Sequence, residues 1–510
     1  MLVQQYRPTR GLVAEFDKSS SEVPPEFVSD AFNVHFRSGS AEQVKGMTEV
    51  YLTPSVDPWH LLNIPVGANY WLSAGASVVE ANTGGAWFDI TPLAYSAVSD
   101  PDQLTSALLN NVPVVNNGID PPNWWDLVTT NIMTPLPGWQ GGGAYAIAAH
   151  KYHLFALGVD GFQERIRWSD AADPGTVPST WLPAADNEAG FVELSDTPGP
   201  LIDAVTWRDR LWIAKNNSLY SAQYTGGPFV YQFRLVNSSI GVLARNCMTA
   251  TPRGLFLISD GDMVITDGVQ FTSVADQRVR RALFDQIDPD NFESSFVVLN
   301  KARNEVWCCF PAQGNTVPNI ALVWDWQHDA WSYRQIPEAN HIAYGIVEEN
   351  TTPPDWDTNT LAWDLETKFW NELAFNPTAD SLLLGTDEGA VSTPRVLFVD
   401  NGNTIDGESY QSRVERRGLD LNGNTRQVKT VTRVWPRSKG IGTVQIRAAG
   451  SFSEEGPWQY EPAQFIDLQS SESANFAVQG VYFAFEFRSD AGSSIRLDGW
   501  DVEYSESGSY

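Results

Sequence analysis

Short strand-like segments separated by turn residues make up most of this sequence. The stretch Leu201–Asn237 shows the pattern most clearly, because its first strand-like segments are joined by Arg208-Asp209 and by Asn216-Asn217. Alternating and apolar runs of this length are typical of β-strands, and Asp or Asn at the junctions favours tight turns. Four such segments in succession correspond to one blade of a β-propeller.

Units of this kind recur at a spacing of about 40 residues between positions 57 and 407. Radial repetition at such a period predicts a β-propeller with six to eight blades, of which seven is the favoured count. The last unit, at roughly 341–405, is the weakest and contains a polar insertion near 350–360. We therefore predict an all-β fold with a propeller over 57–407.

Two regions flank the predicted propeller. In the leader, residues 1–56, the segment Asp30–Gly39 alternates with a period of two and turns at Ser38-Gly39, which predicts a hairpin. After Gly407 the strands become longer and alternate cleanly, which predicts a C-terminal β-sandwich over 408–510. Within the propeller, the pattern at 274–285 predicts one short amphipathic helix between two blades.

The composition agrees with an all-β chain. Aromatic residues make up 12% of the sequence, with 20 Trp, and the 39 Gly and 31 Pro supply turns. The net charge of −29 disfavours tight wrapping by nucleic acid. It suits a channel through which DNA slides without sticking, and it also serves solubility alone.

Basic residues are concentrated after Gly407. Two interpretations are open: an interface with an acidic neighbour, or solvated strands. The residues are Arg413, Arg416, Arg417, Arg426, Lys429, Arg433, Arg437 and Lys439.

The three cysteines, Cys247, Cys308 and Cys309, exclude a disulfide framework. Neighbouring strand residues point to opposite faces, so Cys308 and Cys309 are expected to be buried rather than bonded to each other. This usage fits assembly in a reducing cytoplasm. The N-terminal residues do not resemble a signal peptide, and no apolar run reaches about 18 residues, so we expect no membrane span.

Two clusters of potential ligands raise the question of a metal site. His150 and His153 lie in one apolar strand-like run, where a spacing of three puts them on opposite faces, so zinc is disfavoured. The acidic residues near 285–293 lack the alternating oxygen ligands and central Gly of a calcium loop, and we expect them to cap and turn. These residues are Asp285, Asp288, Asp290 and Glu293.

The search for enzymatic motifs gives no candidate. The nucleophile elbow, the phosphate loop, the dinucleotide fingerprint and the sialidase-type box are absent from the sequence. Trp-Asp pairs at Trp125, Trp324, Trp363 and Trp500 lack the accompanying Gly-His of eukaryotic repeat propellers. We predict that the protein is not an enzyme and has no catalytic, cofactor-binding or metal-binding residues.

Three stretches follow one another in a distinctive order. The leader has Ala31–Gly39 and Gln43–Gly46, the run from Ile202 to Ile336 follows, and a β-domain closes the chain. Within the middle run the distinctive segments are Thr206–Ile213, the helix at 275–285, Glu305–Pro311, Ala321–Asp325 and Trp331–Tyr333. Over about half of the chain, this order resembles the podovirus tail hub or nozzle proteins, also called packaged-DNA stabilisation proteins.

The resemblance implies a bacteriophage virion protein, assembled in the host cytoplasm and located in the tail. It would form a homo-oligomeric ring, a hexamer, that closes the DNA channel below the portal and conducts DNA on ejection. Its partners would be the adaptor or head-to-tail connector protein, tail fibre or needle proteins, and DNA passing without sequence-specific binding. Two alternatives remain open: a carbohydrate-binding or glycan-cleaving propeller, and a generic protein-interaction propeller.

Overall fold

A computed structural model describes residues 2–14, 23–67, 69–227, 229–347, 380–387, 393–469, 473–489 and 492–509. These residues form a seven-bladed β-propeller joined to a β-sandwich. The fold class predicted from the sequence is therefore confirmed. The predicted insertion near 350–360 lies outside the described residues.

The leader contributes five strands. Ser38 and Gly39 both have positive φ (50° and 77°), as a tight hairpin turn requires, and Arg37 pairs with Ser40 across it. The predicted hairpin is thus confirmed as β3–β4. The strands are β1 (Leu2–Tyr6), β2 (Asp30–Phe32), β3 (Val34–Arg37), β4 (Ser40–Gln43) and β5 (Met47–Glu49).

Blades 1 to 4 are consecutive four-stranded antiparallel sheets. Blade 1 has β6 (His60–Ile64), β7 (Tyr70–Ala74), β8 (Val79–Asn82) and β9 (Phe88–Asp89), and blade 2 has β10 (Thr105–Leu109), β11 (Val112–Asn116), β12 (Asn123–Trp124) and β13 (Thr134–Pro135). Blade 3 has β14 (Ala146–His150), β15 (His153–Leu157), β16 (Arg165–Trp168) and β17 (Gly190–Glu193), and blade 4 has β18 (Leu201–Trp207), β19 (Arg210–Lys215), β20 (Leu219–Tyr224) and β21 (Tyr231–Asn237).

Blades 5 to 7 complete the propeller, and the leader strand β5 supplies the fourth strand of blade 7. Blade 5 has β22 (Met248–Ala250), β23 (Leu255–Ser259), β24 (Asp262–Thr266) and β25 (Phe271–Ser273), and blade 6 has β26 (Phe296–Asn300), β27 (Glu305–Phe310), β28 (Ile320–Asp325) and β29 (Ala330–Gln335). Blade 7 has β30 (His341–Ile346), β31 (Asp380–Gly385), β32 (Val396–Val399) and β5.

The first strand of each blade lines the central axis. Each of these strands contacts the first strand of the next blade, and β30 of blade 7 contacts β6 of blade 1, which closes the ring. A cavity of about 580 Å³ lies between them and is lined by residues of all seven first strands. The favoured blade count of seven is therefore what the structure shows.

The C-terminal region forms two packed sheets. One sheet has the order β38-β34-β40-β4-β3. Strand β1 pairs with β40 on the same side as β4, next to it along the strand. The other contains β2-β33-β39-β35, with β36 and β37 on β35, and it joins blade 6 because β2 pairs in parallel with β29. The strands are β33 (Arg413–Leu419), β34 (Gln427–Ile441), β35 (Thr443–Ser451), β36 (Gln459–Tyr460), β37 (Gln464–Asp467), β38 (Ala474–Gly480), β39 (Tyr482–Ser489) and β40 (Ser494–Ser509).

The leader is not a separate unit, in contrast to the domain boundary we predicted at residue 56. Strand β5 belongs to blade 7, and β1 to β4 belong to the two sheets of the sandwich. These pairings join residues hundreds of positions apart, so the local pattern of the leader contains no trace of them.

The observed helix is shorter than the amphipathic sequence pattern that predicted it. Helix α1 covers only Arg280–Phe284, because Gln277 adopts a positive φ of 58° that interrupts a right-handed helix. The apolar positions are still used as expected, since Val279 and Leu283 are fully buried in the main core. Two short 3-10 turns, Pro101–Gln103 and Phe292–Ser294, are also present.

The cysteines behave as their spacing predicted. All three are free and buried. Cys308 packs in the core shared with the sandwich, whereas Cys309 packs in the core between blades 6 and 7. The two side chains therefore point to opposite faces of β27.

Many of the basic residues after Gly407 have partners within the chain. Arg437 lies 2.9 Å from Asp501, and Arg417 lies 2.6 Å from Glu415. Arg413 pairs with Asp30 of the leader strand β2. The pairs of Arg437 and Arg413 thus join neighbouring strands of the sandwich and the leader, whereas Arg417 pairs within its own strand β33.

A buried ion pair lies where the leader, blade 6 and blade 7 meet. Arg334, which is only 2% exposed, donates to Asp400 Oδ1 at 2.7 Å and to the backbone oxygen of Lys45 at 2.9 Å. Arg303 lies 2.6 Å from the other carboxylate oxygen. Burial alone would raise the pKa of Asp400, but Arg334 and Arg303 hold it at about 2.

Replacing Asp400 should therefore destabilise the ring. Asp400→Asn leaves the Arg334 charge buried without its counter-ion, for which we expect a loss of about 3–5 kcal/mol in the free energy of unfolding, measured by urea denaturation. Asn tolerates the positive φ of 64° at this position, so backbone strain does not confuse the result. The control, Asp209→Asn in the exposed Lys151–Asp209 pair, should cost less than about 1 kcal/mol. Equal losses in both variants would contradict this account.

Candidate interaction surface and channel mouth

The two faces of the propeller are distinguished by strand direction. We call the face at which the first strand of every blade begins the upper face. Because strands alternate in direction, the loops between second and third strands also lie on the upper face, while the loops between third and fourth strands lie on the lower face.

The mouth of the channel on the upper face is narrowed by the two 3-10 turns, which contact each other although they precede blades 2 and 6. Arg245, just before blade 5, donates to the backbone oxygen of Tyr145 at 3.1 Å and lies 4.1 Å from the centre of its ring. Burial raises the pKa of the Tyr145 hydroxyl, and the charges of Glu293 and Asp102, one in each 3-10 turn, raise it further. Charged groups from several blades therefore meet at this mouth.

Two carboxyl groups at the mouth have raised pKa values. Burial raises the pKa of Asp102 to about 7, with further contributions from Asp100 and Glu293, while Arg245 opposes the rise. Burial also raises the pKa of Asp203 to about 6. The Asp203 carboxylate accepts from the backbone nitrogens of Ala204 at 2.7 Å and Asn246 at 3.2 Å, so it joins blades 4 and 5.

Arginine side chains stacked on aromatic rings form a surface beside this mouth. The Arg165 guanidinium lies 3.9 Å from the centre of the Phe162 ring and 5.1 Å from that of Phe191. Phe162 and Phe191 are about half exposed (50% and 54%). We call this the aromatic–arginine surface, and it comprises Trp139, Tyr145, Phe162, Arg165, Arg167, Phe191 and Arg245.

The surface extends from blade 3 onto the segment that joins blades 2 and 3. Asp160 accepts from both Arg165 and Arg167, and Arg167 also lies over the Trp139 ring. Gly158 allows the close approach of Tyr145, because a Cβ at this position would lie 2.8 Å from that of Tyr145. Its φ of 62° likewise favours glycine. Glycine at position 158 thus lets Tyr145 pack directly against the backbone of blade 3.

The local charges on this surface are balanced. Arg165 pairs with Glu193 at 2.7 Å in addition to Asp160. The arginines therefore hold the aromatic rings in place by cation–π contact more than they supply a free positive charge. What remains exposed is chiefly apolar ring surface.

The expected placement of His150 and His153 was wrong. They are direct cross-strand partners at a two-residue turn, not residues on opposite faces of one strand. His153 Nε2 lies 3.0 Å from Glu188 Oε2, and the Tyr231 hydroxyl lies 2.9 Å from its Nδ1. His150 Nδ1 instead lies 3.1 Å from the Thr206 hydroxyl.

The acidic segment after α1 has the expected turn role at Asp288. Its Oδ1 accepts from the backbone nitrogens of Asp290 and Asn291, and its Oδ2 accepts from that of Gly314. These hydrogen bonds lower the pKa of Asp288, and the bond from the Gly314 backbone nitrogen has the largest effect. Glu293 differs, because it lies in the 3-10 turn at the channel mouth.

Within the described part of the chain, no group of three or more His, Cys, Asp or Glu side chains is placed to hold a metal ion. No helix in the same part is long and apolar enough to cross a membrane. The candidate functional features are therefore the aromatic–arginine surface and the channel mouth.

Sequence reasoning did not identify the aromatic–arginine surface. Arg165 and Arg167 alternate along one strand, which was a signal for a shared face, but Trp139, Phe162 and Phe191 come from separate loops and strands. Only the closure of blades 2 and 3 brings them together.

Comparison with known proteins gives no family. No family model matches the chain, and no curated protein matches it. Similar solved structures include the WD40 β-propeller domain of Doa1 (TM-score 0.37, 9% identity, 70% of this chain and 96% of that one) and a mitotic checkpoint complex chain (0.34, 9%, 57% and 83%). A third is the computationally designed Ika8 protein (0.34, 10%, 77% and 100%). At these values the likeness carries no argument about function, and the resemblance to podovirus tail hub proteins stays a prediction.

The raised pKa of Asp102 predicts a pH-dependent stability difference. A carboxyl whose folded pKa lies above its unfolded value of about 3.9 loses stabilisation as pH rises through both values. Asp102→Asn removes this penalty, so its thermal midpoint should exceed that of the wild type at pH 8 and converge with it near pH 4.

The matched control is Asp173→Asn on an exposed loop, whose difference from the wild type should not change across this range. A pH-independent difference for Asp102→Asn would refute the placement of Asp102 in a desolvated mouth.

Proposed function

We propose that this protein is a non-catalytic binding propeller that docks a partner protein on the aromatic–arginine surface. The observation that supports this most is the pair of half-exposed rings, Phe162 and Phe191, both of which contact the Arg165 guanidinium. Aromatic and arginine side chains dominate the binding energy of protein interfaces, and pre-positioned rings lose little entropy on binding. The partner should offer apolar side chains to these rings. The net charge of −29 favours basic residues around that apolar contact on the partner.

The tail-ring hypothesis is a special case of this proposal. In it, the docked partner would be a second copy of the chain or a connector protein. Its support is the sequence resemblance, and its virion location and DNA-conducting role remain part of the proposal. The identity of the docked protein distinguishes the tail-ring hypothesis from the general proposal of a binding propeller.

The glycan-cleaving alternative has one observation in its favour, the raised pKa of Asp102 at the channel mouth, because perturbed carboxyls gather at catalytic sites. Asp203 does not strengthen it, since both of its oxygens accept backbone hydrogen bonds that join two blades. We therefore favour binding over hydrolysis.

A site-specific photo-crosslinker tests the proposal. Replacing Phe162 with benzoylphenylalanine, in the cells that make the protein, should give one discrete protein adduct. The matched control is the same replacement at Phe229, which is 82% exposed and lies on the lower face. We expect no such adduct from position 229.

The identified partner is then tested in purified form. Phe162→Ala should weaken its binding about tenfold or more, as for a residue at an interface centre. The absence of an adduct at position 162, or identical adducts from both positions, would overturn the proposal.

A further inference from the structure

Apart from the first strands of the blades, which line the channel, most edge strands in the described structure are protected against pairing with another chain. Unprotected edges expose backbone N–H and C=O groups, so natural β-proteins shorten them or place charges and prolines there. The outer strands β9, β13, β25 and β36 have only two or three residues. Five further edge strands each contain a charged residue: Glu193 in β17, Arg234 in β21, Glu49 in β5, Asp467 in β37 and Arg37 in β3.

Two edges of the sandwich lack this protection. Strand β38 has seven residues, Ala474–Gly480, with no charge and no proline, and pairs only with β34. Strand β1 has five residues, Leu2–Tyr6, likewise without charge or proline, and pairs only with β40. Apart from the pairings with β40 and β34, the described residues make no backbone–backbone hydrogen bond to β1 or to residues 474–479 of β38.

The two unprotected edges are complementary in direction. They lie on opposite sides of one sheet, in the order β1-β40-β34-β38, with every neighbouring pair antiparallel. Strand β1 therefore runs opposite to β38. A second copy in the same orientation would place its β1 antiparallel to β38 of the first, which continues the alternation of the sheet.

From this geometry we propose that copies of this chain associate head to tail, with β38 of one copy pairing with β1 of the next. The side chains at the joint are small, amide or aliphatic, since Asn475, Ala477 and Gln479 are exposed on β38 and Leu2 and Val3 on β1. The joint thus opposes no like charges, although the whole chain carries −29. Such a heterologous contact produces a closed ring or an open chain of subunits. The proposal does not depend on the aromatic–arginine surface.

Two matched lysine substitutions test each side of the joint. Ala477→Lys blocks β38 and Val3→Lys blocks β1, because a lysine on an edge strand opposes pairing. The untagged wild-type chain, measured by light scattering after size-exclusion chromatography at up to about 100 µM, should form species larger than a dimer. Each variant alone should have the mass of one chain, 56.4 kDa. Gln223→Lys, an exposed non-edge position in β20, adds the same charge and should associate like the wild type.

Mixing the two variants keeps the test independent of misfolding. Ala477→Lys retains an intact β1 and Val3→Lys retains an intact β38, so the mixture should form a species of twice the chain mass and nothing larger. A wild type that is monomeric throughout, or an Ala477→Lys variant that assembles like the wild type, would overturn the proposal. So would a Val3→Lys variant that dimerises alone, because that result indicates two-fold pairing of β38 with itself.

Discussion

Closure of the propeller by the leader is the constraint on which the rest of the structure depends. Blade 7 has three strands from residues 341–399 and takes its fourth, Met47–Glu49, from the leader. The buried Arg334 binds Asp400 and the backbone of Lys45 at this junction. A propeller closed in this way cannot open without breaking strand pairing and uncovering a buried charge.

The same closure fixes the sandwich to the propeller. Since β2 pairs with both β29 of blade 6 and β33 of the sandwich, one continuous sheet passes from propeller to sandwich. The leader thus holds the two regions together at several points along its length. The aromatic–arginine surface and the sandwich edges β1 and β38 lie on different elements of this single framework.

Local features of the fold were predictable from the sequence, and distant pairings were not. The turn at Arg208-Asp209 was identified from residue type, and both residues adopt the positive φ that a two-residue hairpin turn needs. Helix α1 lies within the predicted segment but is shorter, because the break at Gln277 has no glycine or proline that the sequence pattern could reveal. His150 and His153 flank a two-residue turn, Lys151-Tyr152, which has no glycine or proline to distinguish it from a continuous strand. The contribution of β5 to blade 7 and the assembly of the aromatic–arginine surface both depend on contacts between distant segments, which no local pattern encodes.

Hydrogen exchange measured by mass spectrometry on the intact chain tests the closure most directly. If β5 closes the ring, its amides that pair with β32 should exchange as slowly as those of β31 and β32, because all of them become exposed only when blade 7 opens. Fast exchange at Thr48 and Val50, whose amides are directed at β32 in the alternating antiparallel ladder, while β31 and β32 stay protected, would contradict closure of the propeller by the leader.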